Sequence, residues 1–190
     1  MNPKQLVVIG AGPGGYPAAF FAADSGMDVT LIDQETNPGG VCLYRGCIPS
    51  KSLLHIAKIM TEAREASKLG VTFAEPGLDI GKMREWKERV VKKLTDGLGQ
   101  LSTQRKITYI RGRARFADAH TVSVKKDDGS EEQISFQHAI LASGSRPATI
   151  PGLPSSPRIW DSTGALNLEM IPGSLLVIGS AAGVVAMGIA

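Results

Sequence analysis

Cys42 and Cys47 are the residues of this chain whose types suit thiol or electron chemistry, and one run holds both: Gly39-Gly40-Val41-Cys42-Leu43-Tyr44-Arg45-Gly46-Cys47-Ile48-Pro49-Ser50-Lys51. On a regular helix, residues at this spacing are separated by ~7.5 Å of axial rise, beyond the roughly 7 Å Cα separation that a disulfide tolerates. A bridge therefore requires the backbone to bend between them. Gly46 permits that bend, and Pro49 suits the first turn of a helix running on through Leu53, Ile56, Ala57 and Met60. A thiol at a helix N-terminus has a lowered pKa and reacts more readily as a thiolate. The pair is read as a redox disulfide, although for an arbitrary C-x4-C two reduced, buried cysteines would be the favoured reading. Zinc is disfavoured, because two cysteines are too few and His55, His120 and His138 stand at no zinc-motif spacing to them. No metal ligand is assigned.

The elements that must position this run precede it. Gln5 to Ile9 is a short apolar stretch, followed at once by Gly10-Ala11-Gly12-Pro13-Gly14-Gly15, an Ala-rich stretch to Ser25, a second apolar run from Asp28 to Ile32, and Asp33. The order is strand, glycine turn, helix, strand, acid, the context in which G-x-G-x-x-G reads as a dinucleotide fingerprint. Gly10 makes the turn, Gly12 lets the backbone approach a pyrophosphate, and Gly15 lets helix and strand pack. Asp33 is placed to accept hydrogen bonds from a ribose. Pro17 lies near enough to the helix start to be tolerated.

Downstream, Ile80 to Leu101 has helical spacing, with Met83, Trp86, Val90, Leu94, Leu98 and Leu101 as its apolar stripe; Trp86 reads as a packing anchor. Ile107 to Ile110, Arg113 to Phe116, Thr121 to Lys125 and Gln133 to Phe136 are short β-type runs, with Asp128-Gly129 as a hairpin turn. His138 to Ala142 is an apolar strand entering the turn Ser143-Gly144-Ser145, and Pro147 to Pro157 reads as a linker. Pro172 to Ala190 carries no charge, and Gly179 with Gly183 forms G-x-x-x-G, but the apolar part is shorter than the ~20 residues of a membrane span. Leu175 to Gly179 reads as a buried strand.

Composition narrows the classes. At 190 residues, 43% hydrophobic and 21% charged, the chain has a globular composition rather than a disordered one. A net charge of +3, with Arg111, Arg113 and Arg115 unaccompanied by interleaved aromatics, does not indicate a nucleic-acid partner. Two cysteines and an N-terminus without a basic region and long apolar stretch point to a cytoplasmic protein.

The run G-G-V-C-L-x-x-G-C-I-P-S-K resembles the active site of the flavin-dependent pyridine nucleotide–disulfide oxidoreductases. Leu43 and Ile48-Pro49-Ser50-Lys51 bring it nearer the branch that oxidises dihydrolipoyl groups than the glutathione reductases; Tyr44 departs from the Asn usual there. The likeness runs from about Leu6 to Ile178. It implies an α/β fold: an FAD-binding Rossmann-like βαβ domain with a parallel sheet, a small antiparallel β-meander, and the start of a second nucleotide-binding domain. On that reading residues 1–147 are the FAD-binding domain with its redox-active disulfide, and 148–190 are a linker and the incomplete start of an NAD-binding domain. The resemblance makes Cys42 and Cys47 the catalytic pair, Cys42 toward the substrate and Cys47 toward the flavin. It places Gly10, Gly12, Pro13, Gly14, Gly15, Asp33, Gln34, Gly39, Gly40, Val41 and Cys42 along the FAD. Lys51 belongs at the flavin ring, Gly112 and Ala114 at the adenine end, and Ala142, Ser143 and Gly144 in a further FAD-contacting turn. It implies NAD as acceptor in the complete enzyme, the dihydrolipoyl domain of an acyltransferase as partner, and a homodimer. Neither a membrane nor a nucleic acid is implied.

The resemblance weakens at the end. Where a second G-x-G-x-x-G and a glutamate would hold NAD, the chain reads Gly179-Ser180-Ala181-Ala182-Gly183-Val184-Val185-Ala186, with Ala181 and Val184 in glycine positions and Ala186 in place of the acid. His55, His120 and His138 do not match the family's proton-relay histidine. The chain reads as a fragment or abbreviated relative. Leu175 to Ile178 then either closes the first domain's sheet, with a helix over Ala181 to Ala190, or begins a second domain, the alternative that residues Asp161 to Pro172 favour.

Overall fold

The computed structural model describes residues 4–148, 150–178 and 185–189. The chain divides into two compact units, Met1–Tyr44 with Lys92–Ser145, and Arg45–Val91 with Arg146–Ala190.

The first unit is built on a six-stranded sheet of order β3-β2-β1-β6-β5-β4. Its strands are β1 (Lys4–Ile9), β2 (Val29–Asp33), β3 (Thr108–Arg111), β4 (Arg113–Phe116), β5 (Thr121–Lys125) and β6 (Glu131–Leu141). β3, β2, β1 and β6 run parallel, while β5 pairs antiparallel with both β6 and β4. The mixed α/β class with a mostly parallel sheet and an antiparallel meander follows. Val7, Val8, Leu31 and Ile32 are wholly buried, and the apolar burial of each such side chain is worth about 1.5–3 kcal/mol.

Each face of the parallel part has its own cover. Helix α1 (Tyr16–Asp24) lays Ala19 and Ala22 on the face of Leu6, Val8, Val29 and Leu31. On the other face Val7 and Ile32 pack with Val122, Val124, Ile134 and Phe136, so the meander folds back over the sheet from which it grows. The two β-runs expected around Gln133–Phe136 and His138–Ala142 are one strand. β6 pairs antiparallel with β5 up to Ser135 and parallel with β1 from Phe136 onward. The hairpin at Asp128-Gly129 is formed, with Gly129 at φ +84° and Lys126 N–H donating to the Ser130 carbonyl.

Helix α2 (Gly40–Arg45) carries Cys42, and α3 (Cys47–Glu65) begins with Cys47. Gly46 separates them at φ −143°, ψ −109°, and Pro49 lies in the first turn of α3. Helix α4 (Ile80–Gln104) corrects the expected apolar stripe: Leu94 and Leu101 are exposed, while Lys87, Thr95 and Ser102 are buried. Trp86 is half-buried and stacks on His55, ring centroids 5.9 Å apart.

The second unit contains α3, the start of α4, α5 (Ser162–Asn167) and a sheet of order β7-β9-β8, from β7 (Ile159–Trp160), β8 (Ser174–Ile178) and β9 (Val185–Ile189). Asp161 caps α5 by accepting from Gly164 N–H at 2.8 Å. At its other end Lys87 Nζ donates to the Leu166 carbonyl at 2.7 Å, and Arg84 to that of Leu168 at 2.9 Å. Burial lowers the pKa of Lys87, with Glu88 opposing and Arg84 reinforcing the shift.

Closure of the first sheet by Leu175 to Ile178 is overturned. Val177 pairs antiparallel with Ala186, and residues 185–189 form a strand where closure called for a helix. β-branched Val185 and Ile189 with Gly188 favour a strand over a helix there. Leu175, Leu176 and Val177 are exposed rather than buried, on an edge strand paired with β9. The degenerate glycine motif at 179–184 lies outside the described residues. Among the described residues no helix is long and apolar enough to cross a membrane, and no cluster of three or more His, Cys, Asp or Glu is arranged to hold a metal ion.

Candidate active site

The site is built where three chain segments meet at the C-terminal ends of β1, β2 and β6. Leaving β1, Gly10 takes φ +98°, and a Cβ there would overlap the Ala142 carbonyl; a Cβ at Gly15 would overlap the Gly10 carbonyl. The glycines thus let the turn, the start of α1 and the end of β6 lie in backbone contact. Ala142 N–H donates to the Ile9 carbonyl at 2.7 Å, which seats the Ala142-Ser143-Gly144 turn beside Gly10.

Above Gly12 and Gly14 the backbone stays open. A Cβ at Gly12 would meet only Gly40 Cα at 3.7 Å, and one at Gly14 only the Ala142 methyl at 4.0 Å. An uncrowded turn at the start of α1 suits a pyrophosphate, which gains from close backbone approach and from the positive end of the helix dipole. Pro13 is exposed at this turn.

Asp33 ends β2 with both carboxylate oxygens engaged. Oδ2 accepts from Ala11 N–H at 2.5 Å and Oδ1 from Glu35 N–H at 3.0 Å, while the Asp33 carbonyl accepts from Gly112 N–H at 2.8 Å. Each oxygen retains a lone pair that a ribose hydroxyl could use. Gly112 is therefore brought to Asp33, and the Ala114 methyl turns toward the core. A dinucleotide such as FAD fits the residues present.

The segment from Asp33 to α2 is pinned by side chains that sequence reasoning had not assigned. Arg111 Nε donates to the Gln34 carbonyl at 3.2 Å and the Tyr109 hydroxyl to that of Glu35 at 2.9 Å. Burial first, then Asp33, Tyr44 and Glu35, holds the Tyr109 phenol well above its usual pKa, so it remains a donor. The available signal was a single tyrosine amid the isoleucines of Ile107 to Ile110.

Gly39 N–H donates to the Ala11 carbonyl at 2.8 Å, and Gly40, at φ +56°, packs on Gly12. The helix of the first cysteine thus starts on the glycine turn itself. Val41 is exposed and Cys42 half-buried on α2. Cys47 and Lys51, exposed in the first turns of α3, belong to the second unit. Both cysteines are free thiols in this structure.

Comparison with known proteins identifies the family. The family model described as pyridine nucleotide-disulphide oxidoreductase matches residues 4–190. The dihydrolipoyl dehydrogenase of Haemophilus influenzae is 48% identical over 176 residues, covering 92% of this chain and 37% of that relative. That of Buchnera aphidicola subsp. Schizaphis graminum is 50% identical over 177 residues, covering 93% and 37%. Among solved structures, the Cu(II) complex of the HOCl-induced flavoprotein disulfide reductase RclA from Escherichia coli superposes with a TM-score of 0.73 at 30% identity, covering 91% of this chain and 36% of that one. The chain spans little more than a third of the length of these relatives.

Proposed function

Because this chain belongs to the pyridine nucleotide-disulphide oxidoreductase family, an oxidoreductase family with FAD as its cofactor, we propose that it is the redox-active part of a dihydrolipoyl dehydrogenase. The complete protein would oxidise the dihydrolipoyl groups that an acyltransferase of a 2-oxo acid dehydrogenase complex carries, with NAD as acceptor, as a cytoplasmic homodimer. The observation that carries the reading is the seating of the Cys42 helix on the dinucleotide turn through Gly39 N–H to Ala11 O at 2.8 Å. The names and identities of the relatives support this substrate class.

In the oxidised protein a dihydrolipoyl thiolate attacks Cys42 Sγ, forming a mixed disulfide and releasing Cys47 as thiolate. The second substrate thiol then attacks the substrate sulfur of that bond. Cyclic lipoyl disulfide leaves, two protons are released from the substrate, and Cys42 and Cys47 are left reduced. When bound, FAD would supply the two-electron acceptor that returns the dithiol to disulfide, with NAD as the final acceptor. Gly10, Gly12, Pro13, Gly14 and Gly15 would hold its pyrophosphate, and Asp33 with Gln34 its ribose. Gly112 and Ala114 would lie at its adenine, and Gly39, Gly40, Val41, Lys51, Ala142, Ser143 and Gly144 along the remainder. Lys51 would supply a positive charge to the ring.

Trapping tests the roles of the sulfurs. In the complete protein Cys47→Ser should accumulate a mixed disulfide, seen by mass, when given an oxidised lipoyl analogue whose S–S bond the Cys42 thiolate opens, and Cys42→Ser should not; the reverse pattern would exchange the two roles. A second reading, reduction of another disulfide or of a metal ion such as Cu(II) or Hg(II), draws on the likeness to the RclA copper complex. It predicts metal-dependent oxidation of reduced nicotinamide cofactor exceeding turnover of dihydrolipoamide.

A further inference from the structure

α2 is a helix of six residues, too short to be stable by itself, so its orientation depends on what grips its ends. The N-terminal grip is the Gly39–Ala11 hydrogen bond and the packing of Gly40 on Gly12. The C-terminal grip is Tyr44. Its hydroxyl accepts from Asn37 N–H at 3.2 Å and donates to the Asn37 carbonyl at 3.1 Å, closing residues 37–44 into a ring through one phenol. Asn37 is itself anchored: its Nδ2 donates to Asp96 Oδ1 on α4 at 3.2 Å, and Gly99 leaves room on that helix for the Asn37 amide.

We infer that the Tyr44 hydroxyl is a positioning group for Cys42, fixing the helix that carries the thiol to the anchored Asn37 peptide and so presenting the sulfur for bond formation with Cys47. The inference rests on the redox reading above and adds to it a residue that differs from the asparagine usual at this place. The phenol acts through the Asn37 peptide. It spans a distance that a shorter amide at position 44 would have to bridge differently, which is the structural content of the departure.

An ordered α2 favours the disulfide over the dithiol by keeping Cys42 in a bonding orientation. The bonds hold α2 already in the dithiol, so loss of the hydroxyl frees the helix in the reduced state, and the entropy so gained, bounded by the two neutral hydrogen bonds lost, is worth about tenfold in the equilibrium. The test equilibrates the complete protein with mixtures of reduced and oxidised glutathione, where one glutathione disulfide oxidises the dithiol and two glutathione thiols are released. Samples are quenched by alkylation and counted by mass. Tyr44→Phe, which keeps the ring, is expected to lower the disulfide-to-dithiol ratio about tenfold at a fixed glutathione mixture. Ser123→Ala, which removes a hydroxyl bonded to Glu131 on the meander, should leave the ratio unchanged. A Tyr44→Phe ratio within about twofold of wild type, or an equal fall in both variants, overturns the inference. Failure of the wild-type protein to form the Cys42–Cys47 disulfide at any mixture would instead overturn the redox reading itself.

Discussion

Replacing Gly40 by alanine would set a methyl group 2.5 Å from Gly12 Cα and 3.1 Å from Gly12 N, at a backbone φ of +56°. Two costs are separable. The left-handed conformation costs an L-residue about 1–2 kcal/mol, and forcing apart two backbones that cannot rotate away costs about 1–3 kcal/mol more. Gly26 measures the first term by itself, since it has φ +89° and nothing within 4 Å of its Cβ position. Gly26→Ala should therefore lose about 1–2 kcal/mol of stability and leave the flavin site intact. Gly40→Ala should lose about 2–5 kcal/mol. Because the displaced backbone is the turn proposed to hold the pyrophosphate, the packing term should also appear as weaker FAD retention, about 5- to 150-fold at 1.4 kcal/mol per tenfold. Denaturant titration of both variants, with flavin release followed by fluorescence, separates the two terms. Equal behaviour of Gly40→Ala and Gly26→Ala would refute the contact between the cysteine helix and the glycine turn.

Asp33→Asn should cost about 1–3 kcal/mol and lower FAD affinity, because both Asp33 oxygens accept backbone N–H groups and an amide must turn its NH2 toward one of these donors; unchanged flavin retention would contradict this. Cys47→Ser in the flavin-loaded complete protein should abolish the long-wavelength absorbance of a thiolate beside the ring, and Cys42→Ser should keep it; survival of the band in Cys47→Ser would reverse the assignment. Lys87 gives a pH test. The unfolded chain holds its proton up to about 10.5, whereas burial makes the folded state release it at lower pH, so the unfolded state binds more protons and Lys87 adds stability as pH rises toward 10.5. The stability of wild type relative to Lys87→Met should therefore increase from neutral pH to about 10.5, and a pH-independent difference would reject the shift.

What the sequence determined by itself is what is encoded within a few turns of chain. Strand, glycine turn, helix, strand and Asp33 were legible because each rests on local spacing and on glycines that the turn sterically requires. So were the break at Gly46 and the hairpin at Gly129, where backbone angles are set by residue type. Tertiary structure decided the rest. Period-2 patterning says that Gln133 to Leu141 is extended, but not that its partner changes at Phe136; that follows from where Val122, Val124, Ile134 and Phe136 can be buried against Val7 and Ile32. Helical spacing placed α4 correctly but picked Leu94 and Leu101 as buried, whereas the neighbours of α4 bury Thr95 and Ser102. The grip of Tyr44 on Asn37 left no sequence pattern, since a phenol reaching a peptide seven residues away depends on how the loop folds back. Val177 faces Ala186 rather than the first sheet for a related reason: an apolar strand announces that it will pair, and only the competing edges of the folded chain decide with what.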